Sequence, residues 1–180
     1  MDVLNLADLL LSSDEKNELQ SSMELLEQSD HSAFYEKNQS IIQSILFLDT
    51  LEEFLDFSKE NELDAECFCA AFLCVHGYGI QIGGYEDDLT PALTEFFHVQ
   101  GMEYPKVSEI VCKGKIYTDC SDYDNFKKSM TAINQELDTY GVRLVVLEDF
   151  VYCDCEYTIL KLDKVLADKV LYSGRNTAGA

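Results

Sequence analysis

The stretch Asp64-Ala65-Glu66-Cys67-Phe68-Cys69-Ala70-Ala71-Phe72-Leu73-Cys74-Val75-His76-Gly77 decides the fold. Its apolar run, residues 67–75, reads as a helix: Asp64 is placed to cap the start and Gly77 to close the end. Such a helix is apolar all round, which predicts a place at the centre of the core. It is far too short for the roughly 20 residues that span a bilayer. Immediately afterwards the pattern changes. Residues 78–82 read as a short strand closed by Gly83-Gly84, so the chain is not all-helical.

Upstream, every segment reads as helix. Val3, Leu6, Leu9 and Leu10 are expected on one face of the first. Ser12-Ser13-Asp14-Glu15 and Thr50-Leu51-Glu52-Glu53 fit capping boxes, in which hydroxyl and carboxylate satisfy free backbone donors. Leu19, Met23 and Leu26 form the stripe of the second helix, and residues 29–32 a turn. Phe34, Ile41, Ile42, Ile45 and Leu48 form the stripe of the third. Leu51, Phe54 and Leu55 open the fourth, which stops near Asn61.

Downstream, the types mix. Thr90-Pro91 reads as a helix start, with Thr as N-cap and Pro at the first helical position; Leu93, Phe96 and Phe97 follow, to Gly101. Residues 107–112 and 115–118 read as strands turning at Lys113-Gly114. Phe126, Met130, Ile133 and Leu137, spaced four, three and four, predict a helix ended by Gly141. Residues 142–148 and 156–162 read as strands, and 164–172 as a closing helix. The expectation is a helix-dominated α+β domain over 1–174, with a small, mainly antiparallel sheet formed mostly by the C-terminal half. The helical half covers 1–76, the mixed half 77–174, and 175–180 form a mobile tail. Residues 99–106 are the alternative boundary. The expected core includes Phe68, Phe72, Phe126, Met130, Ile133, Leu137, Leu144, Val146 and Ile159.

Charge bounds the function. The chain of 180 residues carries 34 acidic against 13 basic side chains, a formal −21. Residues 1–90 hold 20 acids and 3 lysines, or −17; residues 91–180 hold 14 acids and 10 bases, or −4. Such a field repels nucleic acid and anionic membrane and attracts basic proteins. Ten Phe and ten Tyr exclude an acidic disordered chain. Residues 1–5 lack a basic signal-type region, and seven Cys lying mostly in apolar segments read as reduced, which together predict a cytoplasmic protein.

Each chemical candidate has a plainer reading. Cys153-Asp154-Cys155, with Cys112 and Cys120, offers thiols to a soft metal, yet a one-residue spacer is unusual for zinc and small apolar packing explains them. Cys67, Cys69 and Cys74 read as core thiols. Cys74 and His76 do not face each other on a helix, which argues against a catalytic dyad and places His76 at a helix C-terminus. The acids of residues 119–124 suit a helix N-terminus without a cation. Gly77, Gly79, Gly83 and Gly84 lack the phosphate-loop spacing. No catalytic residue, cofactor or metal is therefore expected. The remaining feature is Tyr85-Glu86-Asp87-Asp88, with Tyr78, in a segment holding no base between Lys59 and Lys106. It reads as a partner-binding patch or as a solvated loop.

The expectation is a binding protein. By analogy of size and charge it is an inhibitor or immunity-type factor, docking its acidic half on a basic protein such as a toxin or a nucleic-acid-binding protein. The competing classes are an enzyme with a carboxylate, Tyr and Cys site assembled by the fold, and a structural adaptor. Oligomeric state is not legible.

Overall fold

The computed structural model describes residues 3–46, 48–61, 63–83, 89–99, 123–147 and 155–173. The chain divides into two compact units, Asp2–His76 and Gly77–Ala180. The fold class is α+β, dominated by helix, with a small antiparallel sheet.

The first unit holds α1 (Val3–Leu10), α2 (Ser13–Glu27), α3 (His31–Leu46), α4 (Leu51–Glu60) and α5 (Ala65–Val75). Local chemistry sets their ends. The Ser12 hydroxyl accepts the Glu15 N–H at 3.4 Å while the Glu15 carboxylate accepts the Ser12 N–H at 2.8 Å. Thr50 and Glu53 repeat this at 3.3 and 3.0 Å. Asp64 accepts the N–H groups of Glu66 and Cys67, at 2.6 and 3.1 Å. Each cap is worth about 1 kcal/mol. Asp30 accepts the Ala33 N–H at 3.2 Å, so α3 starts at His31, inside the turn expected over 29–32. Gly77 follows the α5 cap at φ 82°, where a side chain would be strained.

The aromatic core of this unit is Phe34, Phe54, Phe68 and Phe72, all fully buried. Phe34 stacks on Phe54 at 6.0 Å and meets Phe68 edge-on at 4.9 Å. All-round burial of α5 holds only for Phe68, Cys69, Ala70, Ala71, Phe72 and Leu73. Cys67 and Cys74 are half-buried and Val75 is exposed, which corrects the expectation for its ends. Leu9 was expected inward and is 62 % exposed. At about 100° per residue it lies about 120° from Val3, whereas Leu6 and Ala7 flank Val3 and are buried. Between α2 and α3 the contact is polar. Asn38, at a kink in α3, donates from Nδ2 to the Phe34 carbonyl at 2.9 Å, and its Oδ1 lies 2.9 Å from Ser22 Oγ. Both side chains are buried.

The second unit holds β1 (Gly79–Gly83), α6 (Leu89–Val99), α7 (Tyr123–Leu137), a 3-10 turn at Asp138–Tyr140, β2 (Val142–Leu147), β3 (Cys155–Asp163) and α8 (Lys164–Ser173). α6 begins at Leu89, so Thr90 is already helical and Pro91 lies in the first turn. Proline fits there because those N–H groups have no intrahelical acceptor. The strand order is β1-β3-β2, antiparallel throughout. Leu144 and Ile159 on one face join Leu93, Phe96, Phe97, Met130, Ile133 and Leu137 of α6 and α7 in one buried cluster. Of the expected core in this unit, Val146 is half-buried against that cluster, and the Phe126 side chain lies outside the described residues. The opposite face carries buried Val145, Leu147, Leu160 and Leu162, beside α8. β1 approaches β3 closely at Gly79. A β-carbon there would press on the Ile159 carbonyl and lie 2.7 Å from Leu160 Cδ2.

Two polar contacts fix β2. Asn134 of α7 donates to the Leu144 carbonyl at 2.8 Å and accepts its N–H at 2.7 Å. Arg143 reaches both oxygens of Asp138, at 2.8 and 2.9 Å, and also Asp168; Lys164 joins Asp138 at 3.1 Å. The Arg143 guanidinium is the main cause holding the Asp138 carboxyl below its ordinary value of 3.8. A depressed acid stabilises the fold fully above its unfolded value, and the benefit is lost as pH falls through the folded one. Arg143→Met is therefore expected to cost about 1–3 kcal/mol at neutral pH. The gap to the unmodified chain should narrow only below pH 3.8. Paired urea melts across pH check this; a gap already closing near neutrality would contradict it.

The segments expected over 107–112 and 115–118, the boundary at 99–106 and the tail 175–180 lie outside the described residues.

Candidate functional site

Of the expected partner-binding residues, Tyr78 is half-buried in the turn before β1, and its carbonyl accepts the Lys161 N–H at 2.8 Å. Burial lowers the pKa of the Lys161 ammonium. Tyr85, Glu86, Asp87 and Asp88 lie outside the described residues, as do Cys112, Cys120, Cys153 and residues 119–122. Cys155 opens β3. Among the described residues, no three His, Cys, Asp or Glu side chains converge as a metal site.

The helical unit places the charge. It carries 17 acids against 3 lysines, a net −14. Among the described residues every one of its acids is exposed except half-buried Glu15. The lysines are engaged at home. Lys16 pairs with Asp8 at 3.0 Å, Lys59 with Asp56 at 2.6 Å, and Lys37 donates to the Glu18 carbonyl at 3.0 Å. The bond to Asp56 raises the Lys59 pKa. The Thr50 hydroxyl and N–H lower that of Glu53, so this cap stays ionised. His76 caps α5, stacks on Phe72 at 4.1 Å, and reaches Glu15 at 3.5 Å and Glu18 at 4.0 Å.

The unit also holds a concave surface. α1 and α2 both pack on α5 and leave an open groove of about 620 Å³ between them. Leu4, Ala7, Leu11, Leu19 and Met23 supply apolar lining, with Asp8, Lys16 and Glu27 among the polar side chains. Leu4 is 42 % exposed there. Reading the sequence alone misses this groove. Its one local signal is Leu4, an apolar residue left off the inward face of α1.

No family model, curated protein or solved structure matches the chain. Among the described residues, no helix is long and apolar enough to cross a membrane.

Proposed function

We infer that this chain is a small acidic binding protein, an inhibitor or immunity-type factor that neutralises a basic protein partner through its helical half. The observation that carries this reading is the −14 on residues 2–76, displayed on exposed carboxylates while the lysines are held by the chain's own groups. That is more like charge than solubility requires. Opposite charge would steer the encounter, and apolar side chains would then hold the complex.

The test has two stages. Proteins captured on immobilised chain at low salt are eluted with rising salt and identified. Association of the purified partner is then followed by stopped flow. The on-rate is expected to fall at least about tenfold as the screening length shrinks from about 30 to 3 Å. Changing Glu36, Glu52 and Glu60 to Gln should slow association and flatten that dependence. Glu86→Gln with Asp87→Asn and Asp88→Asn asks the same of the second acidic patch. An acidic partner, a salt-independent on-rate, or turnover of a small molecule would overturn the reading.

A further inference from the structure

We propose that the groove between α1 and α2 is the docking site for one basic amphipathic α-helix of the partner. This rests on the binding-protein reading above and narrows it to a place and a shape. The groove has an apolar strip, from Leu4 on α1 and Leu11 just after it to Leu19 and Met23 on α2. Lys16 and Asp8 in its lining pair with each other at 3.0 Å, which leaves the exposed Glu27 carboxylate beside the strip, and the unit around the groove carries −14. The complement of such a surface is a helix with apolar side chains at i, i+3 or i+4 and i+7, and Lys or Arg beside them. An extended strand fits worse, because the interior backbone groups of α1 and α2 are spent within their own helices. A second copy fits worse too, since each chain carries −21.

The test uses the full chain and a synthetic helix of about 18 residues, leucine along one face and lysine on its flanks. One control peptide has the same composition shuffled; another has glutamate for lysine. Anisotropy gives affinity and methyl NMR gives location. The amphipathic basic peptide is expected to bind at least about tenfold tighter than the shuffled one. The methyl signals of Leu4, Leu11, Leu19 and Met23 should move most. Leu4→Gln and Met23→Gln should each weaken binding about tenfold. Leu4 is exposed and Met23 half-buried, and circular dichroism checks that each variant folds. The NMR location needs no variant. Equal binding of shuffled and amphipathic peptides, shifts confined to other helices, or no peptide binding overturns the docking site while the salt test of the broader reading still stands. Self-association that moves the same methyls without peptide assigns the groove to a second copy and also overturns it. Preference for the glutamate peptide overturns both readings.

Discussion

Phe68→Ala is expected to destabilise the helical unit by about 3–5 kcal/mol. The ring is fully buried in α5, 4.9 Å from Phe34 and 6.4 Å from Phe72, and Phe34 in turn stacks on Phe54. Truncation removes the ring that joins Phe72 of α5 to Phe34 of α3. The void cannot close easily, because neighbouring positions on α5 are themselves buried. Against a total stability of about 5–15 kcal/mol, such a loss is large. Urea denaturation followed by far-UV dichroism should show a lowered midpoint with little change in slope. A cost below about 1 kcal/mol would mean that the aromatic cluster is not the keystone of this unit.

Ile133→Ala is expected to cost the second unit about 2–5 kcal/mol. Ile133 is fully buried on α7, in the cluster with Leu93, Phe97 and Leu144. Gln135, two residues on, is exposed. Gln135→Ala should stay within about half a kcal/mol and serves as the control. If the two substitutions proved alike, the assigned face of α7 would be wrong.

What was legible in the sequence is what has a local cause. Both capping boxes, the Asp64 cap and the Gly77 stop act within a few residues, and all are present in the structure. The four-three-four spacing on α7 marked three of its buried residues, Met130, Ile133 and Leu137. Strands over 142–147 and 155–163 were placed to within one residue, because alternation is also local. The strand order was not legible. β1 at Gly79–Gly83 pairs with β3, and nothing near either strand marks so distant a partner. Leu9 was turned inward by counting leucines, while the small Ala7 holds the buried position. The buried Ser22–Asn38 contact was missed, since polar residues in helices read as surface. At the candidate site, composition alone gives the charge. The groove needs α1 and α2 both packed on α5, which is a tertiary fact.

The grip of Asn134 on Leu144 occupies the outer edge of β2. Lys161, opposite Leu144 in the register, gives its N–H to Tyr78 on the β1 side. The main-chain groups of Leu144 therefore face away from β3, where an incoming strand would look for partners. They already hold an amide side chain that imitates a peptide unit, at 2.7 and 2.8 Å. A guest strand would have to evict that side chain before its first rung could form. The outer rim of β2 is thus closed at Leu144 to sheet extension, the common route to edge-to-edge aggregation. On the helical half, the groups presented outward among the described residues include the side-chain carboxylates, not a strand edge.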